Sequence, residues 1–314
     1  MISLKNKTIL ITGSNGFLGS HLLKILKKEY KKKIKLITPN SKECDLTNPN
    51  SIKKIFLKNK KVDFVVHLAS AHGGLYYNIN NPASIYYKNI LMNTHLMHLS
   101  MISGVKNMLC AGTVDSYPKK IPIPWKEKNY WDGFPEPTSS AYAFSKKMMV
   151  VQGEAYKKQY NFNTTHLLFM NLYGPRDNYN LKESHVIPAI LQKIKLAKKK
   201  KKNFITLFGS GNQEREFLFI EDAAKAIILS LKNYKISDPI NIGTGKTYKI
   251  KVVAEKILKI LELKNFKIKW DQKKETGIKI KKFNINRAKK LIGYKPTTSL
   301  DEGLKKTIKW FLKK

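Results

Sequence analysis

The sequence predicts an α/β protein: a doubly wound parallel sheet with a smaller C-terminal lobe of mixed α/β structure. Three observations carry that expectation. Short β-branched runs alternate with helix-period stretches through the first half of the chain. The first run, Thr8-Ile9-Leu10-Ile11-Thr12, passes straight into a glycine-rich turn and then a helical pattern. The second half loses this regular alternation.

Strands are expected at 9–12, 34–38, 64–68, 107–112 and 165–169, separated by helices at 17–28, 51–59, 82–103 and 141–160. Helices of that length between strands imply right-handed βαβ crossovers and a parallel sheet. Asn81-Pro82 reads as a helix start, with proline at the first helical position. Further on, helical patterns cover 186–197 and 222–231, and a short apolar run at 239–242 meets Gly243-Thr244-Gly245. Ser299-Leu300-Asp301-Glu302 reads as a capping box before the last helix. Residues 118–137, rich in proline and aromatics, form the longest connection, and loops of that length in compact domains tend to be functional.

Composition narrows the function classes. With 314 residues, 42% hydrophobic and 11% aromatic, the chain is globular. Its formal charge of +38 invites a nucleic-acid reading, yet only three of the 60 basic residues are arginine: Arg176, Arg215 and Arg287. Base and phosphate readers lean on arginine's bidentate fork. Lysines spread along the whole chain read instead as solvated faces, so no nucleic-acid partner is expected. The run Lys198 to Lys202 is explained as a loop between a helix and the strand-like Phe204 to Phe208. Cys44 and Cys110 can build neither a disulfide framework nor a zinc site, and no metal is expected. No apolar stretch approaches the ~20 residues needed to span a bilayer, and no leader precedes the first strand, so the cytoplasm is the expected location.

Thr12-Gly13-Ser14-Asn15-Gly16-Phe17-Leu18-Gly19 ends the first strand and opens the first helix. That is the context a Rossmann dinucleotide fingerprint requires: glycines let the backbone approach a pyrophosphate, and the helix N-terminus supplies free N–H groups and partial positive charge. The second strand is followed by Thr38-Pro39-Asn40-Ser41-Lys42, with no acid before Glu43. Enzymes that hold the ribose hydroxyls of NAD usually place an acid there. Ser41 and Lys42 suit a 2′-phosphate, so NADPH is the expected cofactor; the plain reading of Lys42 is one more surface lysine. Asp45 and Leu46 are expected against the adenine.

Tyr142 and Lys146 lie four apart at the start of a predicted helix and so share one face. A nearby ammonium is expected to lower the phenol pKa from about 10, which suits Tyr142 to protonating an alkoxide. Thr113, just past the fourth strand, is placed to hold a substrate oxygen or simply to cap a turn. Among the histidines, His21 reads as a surface residue of the first helix and His95 and His98 as packed or interfacial. His67 and His72 flank the cofactor-side strand end.

These segments, with the strand ending His67-Leu68-Ala69-Ser70, resemble an extended short-chain dehydrogenase/reductase. Gly73-Gly74-Leu75, Asn171-Leu172-Tyr173-Gly174-Pro175-Arg176-Asp177-Asn178-Tyr179, Ser184-His185-Val186-Ile187-Pro188 and Phe208-Gly209-Ser210-Gly211 through Arg215-Glu216-Phe217 are similar to the GDP-L-fucose synthase branch. The resemblance implies that residues 1–171, with 217–246 returning to them, bind NADPH, and that 172–216 and 247–314 form a nucleotide-sugar lobe. It implies Tyr142 as proton donor, Lys146 at the nicotinamide ribose, Thr113 at the Ser/Thr position and His185 as an acid. It adds Leu68, Ala69, Ser70, Asn89, Asn171 and His185 to the cofactor contacts, and Gly74, Asn171, His185, Val186, Lys193, Phe208 and Arg215 to those of a GDP-linked 4-keto sugar. It also implies a homodimer paired through helices 82–103 and 141–160.

One position departs from the branch. Two residues beyond the Ser/Thr position, where the branch carries a cysteine base, stands Asp115. Either the chain only reduces C4, or Asp115 and His185 epimerise as base and acid. An exposed carboxylate with a pKa of about 3.9 is a weak base, so the second option needs burial to raise it. An acid at this position also matches 4,6-dehydratases, which hold NAD tightly, and a dehydratase or 4-epimerase is the competing reading.

Overall fold

The computed structural model describes residues 2–233, 237–272 and 277–314. Its first half follows the alternation of the sequence. In chain order come β1 (Thr8–Thr12), α1 (Phe17–Tyr30), β2 (Lys35–Ile37), α2 (Pro49–Lys58), β3 (Phe64–His67), α3 (Leu75–Asn80), α4 (Pro82–Ile102), β4 (Asn107–Thr113), α5 (Ser140–Tyr160) and β5 (Asn163–Phe169). Then follow β6 (Asn171–Tyr173), α6 (Val186–Lys199), β7 (Phe204–Phe208), β8 (Glu214–Phe219), α7 (Ile220–Asn233), β9 (Ile240–Ile242), β10 (Thr247–Lys249), α8 (Ile250–Ile260), β11 (Lys267–Asp271), β12 (Ile280–Lys281), α9 (Asn286–Ile292) and α10 (Leu300–Leu312). Pro82 stands in the first turn of α4, and Ser299 and Glu302 make the capping box of α10.

The main sheet has six strands in the order β2-β1-β3-β4-β5-β9, every pairing parallel. The order reverses between β1 and β3, which opens a crevice above their C-terminal ends. Because side chains alternate along a strand, each strand feeds two cores. Ile9, Ile11, Val66 and Leu109 pack with Leu18, Leu22 and the buried face of α7. Leu10, Val65, Met108 and Cys110 pack with Leu96, Met97 and Met149 from α4 and α5. Register places Thr12 beside His67, His67 beside Cys110, and Cys110 beside His166. One row of polar and small side chains therefore crosses the sheet on the α4–α5 face.

The remaining strands form two smaller sheets, β10-β8-β12 with β6 also on β8, and β7 with β11. A buried carboxylate ties this region to the main sheet. Glu216 on β8 accepts backbone N–H bonds from Thr244, Gly245 (2.8 Å) and Phe283 (2.9 Å). Burial pushes its carboxyl up, and those backbone donors pull it back. His21 differs from the surface position read in the sequence: it is buried, with Nε2 2.8 Å from the carbonyl of Pro175, a partner 154 residues away. Among the described residues no helix is long and apolar enough to cross a membrane.

Glu216→Gln keeps one acceptor oxygen but turns an amide NH₂ toward the Phe283 N–H. Donor facing donor in a buried site is expected to lower stability by about 2 kcal/mol, read as an earlier midpoint in urea unfolding. An unchanged midpoint would deny Glu216 its anchoring role.

Candidate active site

The crevice above β1 and β3 is a cleft of about 610 Å³. Gly13, Asn15, Gly16, Ser41, Asp45, Leu46, Leu68, Ala69 and Ser70 line it, as do Lys88 and Met92, which the sequence reading did not single out. Gly13 adopts φ +69°, and a Cβ there would lie 2.6 Å from the backbone nitrogen of Ala69. Only glycine lets the turn press so closely on the strand end, and the result is a backbone cradle at the start of α1 suited to a pyrophosphate. Phe17, Leu18 and Gly19 form the first turn of that helix.

At the far end of the cleft the acid Glu43 is engaged locally: its Oε2 accepts the N–H of Asn40 at 2.9 Å. Ser41 faces the cleft, whereas Lys42 is exposed beside it and does not line it. Asp45 accepts from the Thr47 hydroxyl at 2.7 Å and backbone N–H at 2.9 Å, bonds that hold its carboxyl below the usual range. Asn89 is buried and braces the loop after β3, accepting from Ser70 and Ala71 and donating to the carbonyls of Ala71 and Ile85. The donor set, the glycine cradle and the cleft fit a dinucleotide.

Tyr142 and Lys146 project from the first turns of α5 and are 7% and 2% exposed. Lys146 Nζ lies 5.8 Å from the centre of the phenol ring. Burial pulls the Lys146 ammonium down to about 8. The sequence reading expects this cation to lower the Tyr142 pKa; instead the phenol is pushed up to about 12. Burial dominates, the Ser70 hydroxyl offsets it in part, and Asp115 adds to the rise. The group thus stays protonated at neutral pH, the state a proton donor needs.

His72 stacks on Tyr142 with ring centroids 4.2 Å apart, and His185 stands 5.6 Å beyond His72. Gly74 permits this approach: a Cβ there would come within 2.9 Å of the carbonyl oxygens of Glu183 and Ser184. Burial pushes His72 down to about 3 and also lowers His185, with Asp115 opposing the fall in both. Thr113 caps the turn after β4, its Oγ1 accepting the N–H of Asp115 at 3.2 Å. That leaves the hydroxyl proton to donate elsewhere.

Asp115 has a partner the sequence reading missed. Lys281 on β12 places Nζ 2.6 Å from its Oδ1. Burial pushes the carboxyl up, but the Lys281 ammonium and its hydrogen bond, helped by His72 and His185, hold it below the ordinary value. Nothing in the run Lys279-Ile280-Lys281-Lys282 marks one lysine out; the parallel pairing of β12 on β8, with Lys281 opposite Arg215, selects it.

A second pocket of about 160 Å³ opens beside His185, lined by Asn171, Ser184, His185, Val186, Arg215 and Phe217 among others. Asn171 Nδ2 donates to the Glu216 carbonyl at 2.9 Å, and Arg215 donates to the carbonyls of Glu214 and Lys279. Asn171 and His185 thus stand at this pocket rather than among the residues lining the cofactor cleft. Lys193 and Phe208 form a separate pair, with Nζ 4.8 Å from the ring centre and donating to the Thr206 carbonyl. They do not line the second pocket. Cys110 is buried beneath Lys146 and its thiol is pushed up to about 12 by burial, so it is no base.

A glycine-loop cleft at the reversal point of a parallel sheet, with tyrosine and lysine one helical turn apart and the tyrosine in reach of Ser70 in its lining, defines a dinucleotide-dependent oxidoreductase of the short-chain type. The chain belongs to the NAD dependent epimerase/dehydratase family, whose model matches residues 9–243. It is 33% identical over 312 residues to a GDP-L-fucose synthase of Sinorhizobium fredii, covering 99% of this chain and 98% of that protein. It is 32% identical over 307 residues to a GDP-L-colitose synthase of Yersinia pseudotuberculosis, covering 97% of each. Among solved structures, a GDP-L-fucose synthetase from Naegleria fowleri bound to NADP matches with a TM-score of 0.90 at 28% identity, over 100% of this chain and 95% of that one.

The buried ammonium of Lys146 is expected to titrate near 8 when followed by NMR of its labelled side chain, losing its charge as pH rises through that value. A midpoint at the ordinary lysine value of about 10.4 would contradict the burial described here.

Proposed function

We propose that this chain is an NADPH-dependent reductase of the C4 ketone of a GDP-linked 4-keto-6-deoxy sugar, and that it leaves the configuration at C3 and C5 untouched. The GDP-L-fucose and GDP-L-colitose synthases among its relatives support a GDP-sugar substrate. The NADP-bound neighbour and the engaged Glu43 support the cofactor.

When bound, NADPH supplies the hydride. Tyr142, protonated at neutral pH, delivers a proton to the oxygen of the reduced carbon. The Thr113 hydroxyl holds that oxygen beside it. Lys146 keeps positive charge behind the phenol, favouring the phenolate that proton donation leaves. His185, Asn171 and Arg215 hold the sugar and its diphosphate in the second pocket. In this reading residues 1–171 with 217–246 form the cofactor domain, and 172–216 with 247–314 form the substrate lobe. The protein works in the cytoplasm as a homodimer; exposed Tyr86, Tyr87, Met148 and Val151 on α4 and α5 offer an apolar pairing face.

The observation that carries the stereochemical part is the Asp115–Lys281 pair at 2.6 Å. Removing a proton alpha to a ketone is favoured by a base with a raised pKa. Asp115 has its Oδ1 occupied by an ammonium and its carboxyl held low. The arrangement disfavours epimerisation and also the acid role that a dehydratase asks of this position.

With GDP-4-keto-6-deoxymannose and NADPH in D₂O, the product is expected to carry no solvent deuterium at C3 or C5; incorporation there would overturn the reductase-only reading. Tyr142→Phe should lower kcat by about a thousandfold while leaving NADPH binding, followed by fluorescence, within about twofold. Purified protein carrying non-exchangeable NAD would favour a dehydratase or 4-epimerase instead.

A further inference from the structure

Beneath the catalytic helix runs a chain of hydrogen bonds that the reaction as described does not use. Thr12 Oγ1, at the end of β1, lies 2.7 Å from His67 Nδ1. His67 Nε2 lies 2.9 Å from Asn93 Oδ1 on α4. Asn93 Nδ2 lies 3.1 Å from the backbone carbonyl of Ser145 on α5. The Ser145 hydroxyl in turn donates to the carbonyl of Tyr142 at 2.7 Å. All four residues are at most 2% exposed.

Donor and acceptor chemistry gives this chain one direction. The Ser145 carbonyl only accepts, so Asn93 must turn its NH₂ toward it and its Oδ1 toward His67. His67 must then donate through Nε2–H, which leaves Nδ1 as an acceptor and requires Thr12 to donate its hydroxyl proton. With His67 neutral, no link can be reversed without leaving two buried acceptors facing each other. His67 is suited to a single tautomer because burial, with the Lys146 ammonium nearby, holds it neutral down to about 3.

We propose that Thr12, His67 and Asn93 are positioning residues. Their one-way relay locks the first turns of α5, which carry Tyr142 and Lys146, in register with the strand end that carries the glycine loop. Hydride and proton must reach the two ends of one C=O bond, and an ångström of misplacement between the two elements costs rate steeply. The apolar packing of α4 and α5 on the sheet fixes distance but not axial register, whereas a directional hydrogen bond to a single helix carbonyl fixes both. The inference rests on the reductase reading for its kinetic arm only.

The experiment compares His67→Leu, which breaks the relay, with His67→Gln, whose amide oxygen accepts from Thr12 and whose NH₂ donates to Asn93. Each is measured on GDP-4-keto-6-deoxymannose with NADPH, and by hydrogen–deuterium exchange of the amides of residues 145–149. His67→Leu is expected to lower kcat about tenfold with KM and NADPH affinity within about twofold, and to speed exchange in that segment. His67→Gln is expected to restore both. Thr12→Val against Thr12→Ser repeats the contrast should the leucine variant fail to fold. A glutamine variant as impaired as the leucine variant, a loss confined to NADPH affinity, or unchanged exchange in both breaking variants would overturn the proposal. Should the wild-type protein not turn over this sugar, the reductase reading fails, and the exchange comparison alone still decides the relay.

Discussion

A lysine ammonium buried against the middle of a sheet is the constraint around which this structure is arranged. Taking Lys146 out of water is costly unless its surroundings are polar. The sheet face beneath it accordingly carries a break in the apolar pattern: His67, Cys110 and His166 stand there in consecutive register, and the charge of Lys146 is felt by each. Both imidazoles are neutral, held down to about 3 by burial, so they solvate the ammonium as dipoles without adding charge. The helix that supplies Lys146 also supplies Tyr142, so whatever seats the cation also seats the phenol.

The two sides of Tyr142 differ in character. Toward the glycine loop the cleft is lined mainly by backbone, small side chains and hydroxyls, with Asp45 and Lys88 as its charged members. Toward the second pocket stand Asp115, Lys281, His185 and Arg215, whose mutual influence is visible in the shifted carboxyl and imidazole. A cradle of neutral dipoles suits a pyrophosphate approached along a helix axis. A cluster of fixed charges suits a substrate whose orientation must be chosen among several similar faces. The two chemistries meet at the stacked rings of His72 and Tyr142.

Much of the cofactor half was legible in the sequence because its signals are local. A β-branched run, a glycine turn and a helix pattern occupy consecutive residues, and Tyr142 and Lys146 are set one helical turn apart by helix geometry alone. What escaped the sequence reading depends on partners distant in the chain. His21 is polar on a helix with an apolar stripe and reads as surface until Pro175 arrives to bond it. Lys281 is one of many lysines, and only the β12–β8 register gives it a role. The Tyr142 shift was misjudged because a spacing reveals the neighbouring cation but not the depth of burial, and burial is the larger influence.

The placement of Lys281 on a strand of two residues has a consequence for how the protein matures. The parallel sheet is complete once β9 has joined, yet the ammonium opposite Asp115 is contributed by residues made some forty positions later. Side chains on a strand alternate faces, so docking β12 one residue out of step would present Ile280 or Lys282 to the wrong side. An immature chain would then hold a cofactor cleft beside an unpaired buried carboxylate. Neutralising Asp115 therefore depends on the register of a two-residue strand that lies outside the main sheet.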